Sequence, residues 1–280
     1  MRKIAAEKIF SAAKKLIATA NFHLPAGVQK GLLRLKSAET TPAAAAALDA
    51  ISRNFKLSEK TKIPLCQDTG TAIFLVKIGH RVALEEPIFE TLFRATASAY
   101  RENFLRASIV GDPLFDRKNT KNNCPPIVKI KMVAGENLEI IFLPKGGGAE
   151  NKSVLKMLRP ADGVDGVARA VVDAAKNAGG AACPPWIVGV GVGGTFDTVA
   201  DLAKTAILRD IDTKNENPKY AALETKIAAE IEKLKIGALG FGGKKTVLAV
   251  HIVAAPTHIA SLPVAVNFQC HSARSAKIIL

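Results

Sequence analysis

Apolar residues recur at helical spacing through most of the first 60 residues. In the segment 2–19 they return every three or four positions, which predicts an amphipathic helix. The same spacing predicts helices over 27–36 and 43–57, and Thr41-Pro42 is a typical start signal for the last of these. The chain is therefore predicted to begin with a helical region.

From residue 71 onward, short apolar runs that are typical of strands alternate with further helical patterns. The predicted strands cover 71–78, 127–133, 138–143, 186–192, 246–253 and 262–268, and the predicted helices cover 86–104, 163–178, 197–208 and 219–235. The four residues "AGEN" between the second and third strands predict a hairpin.

The pattern as a whole predicts an α/β fold of the mixed α+β kind, in which mixed sheets are flanked by helices. No repeat and no Pro-, Gly- or Ser-rich linker divides the 280 residues. We therefore expect one domain over 1–280, with the helical region 1–60 packed on it.

The chain carries 39 Lys and Arg against 25 Asp and Glu, a formal charge of +14. The basic residues are scattered along helical segments, and only 5% of residues are aromatic, which leaves few platforms for stacking bases. No helix-turn-helix, zinc-finger or ribonucleoprotein motif is present. We expect a solvated basic surface and no nucleic-acid partner; the positive charge also suits a small dianionic substrate or an acidic partner subunit.

No apolar run reaches the length of a membrane span, and the N-terminal segment mixes charged residues among its apolar ones. The sequence predicts a cytoplasmic protein without a membrane partner.

Two glycine-rich stretches follow predicted strands. "GVGVGG" (189–194) fits the dinucleotide-binding fingerprint, but Asp210 and Asp212 beyond it lie in a polar loop instead of ending a second parallel strand. A strand-turn-helix junction that uses its glycines for close packing or for contact with an anion is the better interpretation. "KGGGAENKS" (145–153) lacks the Walker spacing, and its three successive glycines let the backbone approach an anion closely, or form a simple flexible turn.

None of the four cysteines belongs to a C-x-x-C pair. Cys66, Cys183 and Cys270 each lie at the edge of a predicted strand, whereas Cys124 lies in the most polar loop. A buried inert thiol is the ordinary interpretation of any single one of them. Three at strand edges beside glycine loops also indicate a cluster or metal site, and spacing alone does not decide between these readings.

Taken together, five ordered motifs resemble the iron–sulfur half of the class I fumarate hydratases and the related L-tartrate dehydratases. The resemblance covers nearly the whole chain. The motifs are "PLCQDTG" (64–70), "NFLRASIV" (103–110), "PKGGGAENKS" (144–153), "CPPWIVGVGVGGTFD" (183–197) and "THIASLPVAVNFQCHSAR" (257–274).

The resemblance implies a [4Fe–4S] cluster held by Cys66, Cys183 and Cys270, with one iron open to the substrate and with Cys124 outside the ligand set. It further implies substrate contacts from Gln67 and Asp68, proton handling by Asp68, and a carboxylate clamp by Arg106.

The backbone of Gly146, Gly147 and Gly148 would bind a carboxylate oxygen. His258 would reach an active site, in some relatives that of a neighbouring protomer. A structural histidine is the ordinary alternative.

Single-chain relatives continue into a second domain with further catalytic residues, and this chain ends ten residues after Cys270. The resemblance therefore implies an α subunit that needs a β subunit, expected as α2β2, for the reversible hydration of fumarate to (S)-malate. Dehydration of a tartrate is the alternative within the class. A non-catalytic metal- or anion-binding module is the alternative outside it.

Overall fold

The computed structural model describes all 280 residues. Helices and strands mix along the chain and form several open sheets, which confirms the predicted α/β class. The helices are α1 Ala6–Phe22, α2 Ala26–Ala38, α3 Pro42–Thr61, α4 Ile88–Glu102, α5 Gly147–Glu150, α6 Gly163–Ala178, α7 Phe196–Ala206 and α8 Pro218–Lys233. The strands are β1 Arg2–Ile4, β2 Thr71–Gly79, β3 Val82–Leu84, β4 Ile127–Val133, β5 Leu138–Lys145, β6 Val154–Leu158, β7 Trp186–Gly194, β8 Val247–Thr257, β9 Leu262–Gln269 and β10 Ala276–Ile279.

The chain divides into two compact units, each with its own sheet and core. Unit 1 comprises Met1–Pro25, Phe55–Gly147 and Arg274–Leu280, and unit 2 comprises Ala26–Asn54 and Gly148–Ala273. The helical region 1–60 is shared, since α1 belongs to unit 1, α2 to unit 2, and α3 contributes residues to both. The prediction of one domain over 1–280 stays a prediction.

Unit 1 is built on a four-stranded sheet in the order β10-β5-β2-β4. Strand β2 is central because its side chains are apolar on both faces, and it pairs parallel with β4 and antiparallel with β5. One face of the sheet packs against α1 and α4 in a buried cluster that includes Phe74 and Phe142, whose rings lie 5.0 Å apart. Strands β1 and β3 form a separate parallel pair.

The predicted hairpin between β4 and β5 is wrong. Strand β2 lies between them, so the loop 134–137 reverses the chain direction across the end of β2 and does not join two paired strands. The Gly79 N–H donates to the Asn137 carbonyl at 2.9 Å, and a Cβ on Gly79 would lie 2.6 Å from the Gly135 oxygen. Local turn signals predicted the turn correctly, but the apolar character of β2 on both faces decided the pairing.

Unit 2 is built on a four-stranded sheet in the order β6-β9-β7-β8. Strand β7 runs parallel to β8 and antiparallel to β9. Helices α6 and α8 cover one face through a cluster that includes Val188, Val190 and Val192, and α7 covers the other. None of the helices in either unit combines the length and apolar composition needed to cross a membrane.

The glycines of "GVGVGG" are explained by the packing of α7 on β7. Valines and glycines alternate, so the valines face α6 and α8 while Gly189 and Gly191 face α7. A Cβ on Gly189 would lie 2.3 Å from the Ala203 carbonyl oxygen, and one on Gly191 would lie 2.2 Å from that of Val199. Of the two uses expected for these glycines, close packing is the one that the structure confirms.

Candidate functional site

The segment 66–70, Cys-Gln-Asp-Thr-Gly, forms a turn immediately before β2 in unit 1. Cys66 and Asp68 are half-buried, Gln67 is exposed, and Thr69 and Gly70 are buried. The turn therefore presents its first three side chains toward the surface while its last two residues anchor it to the sheet.

The Asp68 carboxylate is fixed by two backbone amides. Its Oδ1 accepts the Gly70 N–H at 3.0 Å, and its Oδ2 accepts the Gly147 N–H at 2.7 Å. A Cβ on Gly146 would lie 3.3 Å from Oδ2, so the absence of side chains in the glycine loop permits this close approach. These two hydrogen bonds fix the orientation of both carboxylate oxygens.

Both the backbone conformation at position 70 and the lack of space for a side chain there require glycine. Its φ of +78° lies in the left-handed region, and an added Cβ would lie 2.9 Å from the backbone of Lys145. The turn can therefore join β2 at this angle only with glycine at its last position.

Buried side chains hold the last carbonyl oxygens of the turn. The Tyr100 hydroxyl donates to the carbonyls of Thr69 at 3.1 Å and Gly70 at 3.0 Å, and the Asn123 amide donates to that of Gly70 at 3.1 Å. Burial raises the pKa of Tyr100 well above its ordinary value, so the phenol stays a donor throughout the physiological range. Nothing in the sequence pattern pointed to Tyr100 or Asn123.

Arg106 lies in the exposed segment after α4 and is tied to the same turn. Its carbonyl oxygen accepts the Thr69 hydroxyl at 2.9 Å, and the Asn123 side chain accepts the N–H of Ser108 at 2.8 Å. Within unit 1 the motifs "PLCQDTG" and "NFLRASIV" therefore adjoin, and the guanidinium of Arg106 is accessible to a ligand.

Cys183 and Cys270 lie at one end of the unit 2 sheet. Cys183 precedes β7 and Cys270 follows β9, and these strands pair antiparallel with Ile187 opposite Gln269. The His271 N–H donates to the Cys183 carbonyl at 3.0 Å, which joins the two segments directly.

Cys183 adopts a left-handed backbone conformation with φ of 51°. Such conformations are uncommon for residues other than glycine and tend to cluster at functional sites. Gly148, the last glycine of the 146–148 loop, would place a Cβ 3.2 Å from the carbonyl oxygen of Ala181, two residues before Cys183. Within unit 2 the loop thus closes on the segment that presents this cysteine.

His258 lies at the opposite end of the same sheet. It follows β8, whose last residue, Thr257, pairs with Gly194 at the end of β7. The nine residues of β7 separate it from the cysteine end by about 25 Å. His258 is exposed, and its Nδ1 accepts the Ala260 N–H at 3.1 Å. Its catalytic role stays a prediction, and it requires His258 to serve a site on another protomer.

Cys124 differs from the other three cysteines. It is buried, its thiol donates to the Phe93 carbonyl at 3.5 Å, and burial raises its pKa to about 11. A thiol with this pKa remains protonated at neutral pH and is therefore a poor metal ligand. The structure supports leaving Cys124 out of the ligand set.

We expect Cys124 to resist alkylation in the folded, cluster-free chain. Its raised pKa keeps the thiolate, the reactive form, scarce below about pH 10. Brief iodoacetamide treatment at pH 8, followed by mass spectrometry, should label Cys66, Cys183 and Cys270 but label Cys124 only after unfolding. Labelling of Cys124 at the rate of Cys183 would contradict this assignment.

The chemistry and exposure of the three strand-edge cysteines suit them as ligands of an iron–sulfur cluster. None forms a disulfide, Cys183 is exposed, and Cys66 and Cys270 are half-exposed. Iron–sulfur clusters bind through cysteine thiolates, so this donor set fits one. The structure contains no group of three or more His, Cys, Asp or Glu side chains already arranged to hold a metal ion.

Comparison with known proteins gives the family. The model described as "Fumarate hydratase (Fumerase)" matches residues 10–279. A Methanocaldococcus jannaschii protein, provisionally named L(+)-tartrate dehydratase subunit alpha, is 40% identical over 96% of both chains. L(+)-tartrate dehydratase subunit alpha of Escherichia coli K12 is 31% identical over 99% of this chain and 92% of its own length.

A Geobacillus stearothermophilus protein, provisionally named fumarate hydratase class I, is 31% identical over 96% of this chain. The match covers only 54% of that protein, so this chain spans about half of it. The family model and these relatives together show that the chain belongs to the fumarate hydratase (Fumerase) family of hydro-lyases.

Proposed function

We propose that the chain is the α subunit of an iron–sulfur hydro-lyase that reversibly hydrates fumarate to (S)-malate. The observation that carries the proposal is the Asp68 carboxylate, held by the amides of Gly70 and Gly147 two residues from Cys66, in a chain of the fumarate hydratase family. An oriented carboxylate beside a thiol that can hold iron suits chemistry at a substrate hydroxyl group.

Cys66, Cys183 and Cys270 would hold a [4Fe–4S] cluster with one iron free of protein ligands. Such a cluster supplies a Lewis acid that eases loss of the C2 hydroxyl of malate, a poor leaving group. Support comes from the exposure of Cys183 and the partial exposure of Cys66 and Cys270, from the shared sheet end of Cys183 and Cys270, and from the raised pKa of Cys124.

The remaining residues would bind and orient the substrate. Gln67 and Asp68 would contact the substrate next to the cluster, and Asp68 would take part in proton transfer at the departing hydroxyl group. Arg106 would bind a substrate carboxylate through its planar guanidinium. The amides of 146–148 would bind a carboxylate oxygen. Since Asp68 already accepts the Gly147 N–H, the substrate carboxylate and Asp68 would compete for that donor.

A partner subunit would complete the reaction. The relatives from M. jannaschii and E. coli are named as alpha subunits, and the Geobacillus relative is about twice as long as its match. We infer a β subunit that removes the C3 proton of malate while this chain binds the C2 hydroxyl end. An α2β2 assembly is the proposed form.

Dehydration of L(+)-tartrate is the second candidate function. The relatives that match over nearly their whole length carry the tartrate dehydratase name, at 31–40% identity, whereas the fumarate hydratase relative matches over 54% of its length. Tartrate has a hydroxyl group at C3 where malate has hydrogen, so the two substrates differ at the end assigned to the partner subunit.

We expect the chain, co-expressed with its partner and purified without oxygen, to take up about four irons and to hydrate fumarate. The experiment measures iron, visible absorbance and turnover of malate, L(+)-tartrate and D(–)-tartrate. Turnover of L(+)-tartrate alone would replace the first candidate by the second. A colourless complex that binds zinc and turns over none of these acids would contradict both and would support a non-catalytic metal-binding module.

A further inference from the structure

Arg274 lies inside unit 1 with 1% of its surface exposed. Its Nη2 donates to the Asp68 carbonyl oxygen at 2.8 Å, and its Nη1 donates to Asn21 Oδ1 at 3.4 Å. Its Nε is buried and has no hydrogen-bond partner. The guanidinium thus makes its hydrogen bonds to neutral oxygens of the Asp68 backbone and the Asn21 side chain.

This environment is energetically unfavourable for a cation. A buried charge is costly to desolvate unless a counter-charge and full hydrogen bonding offset it. Arg274 has a buried Nε without a hydrogen-bond partner, and the two oxygens to which it donates are both neutral. The direct effect of its hydrogen bond is to fix the position of the Asp68 backbone.

The end of α1 connects Arg274 to the beginning of the same turn. The Asn21 amide donates to the Ile17 carbonyl at 2.9 Å, which fixes the side chain that accepts from Arg274. The Asn21 carbonyl accepts the Leu65 N–H at 2.9 Å, one residue before Cys66. Asn21 therefore holds the turn both directly at Leu65 and, through Arg274, at Asp68.

Three consecutive carbonyl oxygens are held from inside unit 1. Tyr100 and Asn123 donate to those of Thr69 and Gly70, and Arg274 donates to that of Asp68. The orientation of the peptide unit after Asp68 thus depends on Arg274. Since the Asp68 side chain leaves the backbone next to this peptide unit, a rotation there would displace it.

We propose that Arg274 is a positioning residue of the hydro-lyase site, which holds the Asp68 backbone so that the Asp68 side chain faces the substrate. The inference rests on the proposed function for its catalytic consequence, but its structural step concerns this chain alone. Arg274 does not touch the substrate and acts through Asp68.

Hydrogen–deuterium exchange on the cluster-free chain tests the structural step without any activity. In Arg274→Lys, a single ammonium replaces the planar fork, and we expect at least about tenfold faster exchange in a peptide covering 64–74. Thr96→Val is the matched control, because Thr96 is also fully buried in unit 1 and donates only to Leu92 within α4. The control should leave exchange in 64–74 at the parent rate.

Kinetics of the anaerobic complex with its partner test the catalytic step. We expect kcat of Arg274→Lys to fall about tenfold and that of Arg274→Ala about 100-fold, with KM changing less, because misplacement of Asp68 acts mainly on the reaction step. Millimolar guanidinium, far below denaturing concentrations, should partly restore Arg274→Ala, while sodium chloride at the same concentration should not.

The outcomes separate the two proposals. An inactive parent complex without iron would defeat the proposed function, and the exchange experiment would still decide whether Arg274 holds the turn. Unchanged exchange in 64–74 for Arg274→Lys would overturn the inference, as would a parent-level kcat in an active complex. If Arg274→Ala fails to fold, the Lys variant gives the same decision.

Discussion

Replacing Cys183 by serine is expected to abolish iron binding and to reduce hydro-lyase turnover to background. Cys183 lies at the sheet end that also presents Cys270, and its backbone is fixed by the bond from the His271 N–H. Serine is nearly the same size and can adopt the same backbone conformation, so the fold should survive. Its hydroxyl group, however, is a hard ligand that stays protonated and binds iron–sulfur clusters poorly.

The measurement is iron content and visible absorbance after anaerobic reconstitution, followed by turnover of malate and L(+)-tartrate in the complex with the partner subunit. Parent protein should hold about four irons per chain and Cys183→Ser fewer than about one. Cys124→Ser is the matched control, because that thiol is protonated at neutral pH and donates to the Phe93 carbonyl. Full iron content in Cys183→Ser, or its loss in the control, would refute the assignment of ligands.

Much of the fold could be predicted because apolar periodicity reports directly on buried faces. The predicted strand 127–133 and helix 163–178 match β4 and α6 to the residue. Strands β1, β3, β6 and β10 were missed, since three to five residues carry too little periodicity to stand out, and the helix predicted over 2–19 begins only at Ala6, after β1. The pairing of β4 with β2 was also missed, because it depends on contacts that are distant in sequence.

The candidate site could be predicted only where the sequence carries an unusual local composition. The polar run 66–69 and the glycines 146–148 stand out, and the structure joins them in unit 1 through Asp68 and Gly147. Tyr100, Asn123 and Asn21 gave no signal, because one polar residue in a helix or loop has many ordinary explanations. Their role depends on which backbone carbonyls they meet, which only the three-dimensional structure gives.

Replacing Gly191 by alanine is expected to destabilise unit 2 by about 3 kcal/mol, near the upper end of the cost of overpacking a core. The new Cβ would lie 2.2 Å from the Val199 carbonyl oxygen and 2.8 Å from the Ala203 N. Both neighbours are backbone atoms of α7, so no side-chain rotation relieves the clash and the helix must move away from β7. For a protein of this size, the unfolding midpoint should fall by roughly 6–12 °C.

Calorimetry of the cluster-free chain measures the loss of stability in Gly191→Ala. Gly111→Ala is the control, because an added Cβ there would approach nothing closer than the Lys118 oxygen at 3.9 Å. That control should change stability by less than about 0.5 kcal/mol.

The same pair of variants also tests the two interpretations of "GVGVGG". If these glycines made room for a dinucleotide, Gly191→Ala would weaken nucleotide binding and leave the unfolding midpoint unchanged. Because Gly191 faces α7, the stability of unit 2 is the quantity that should change.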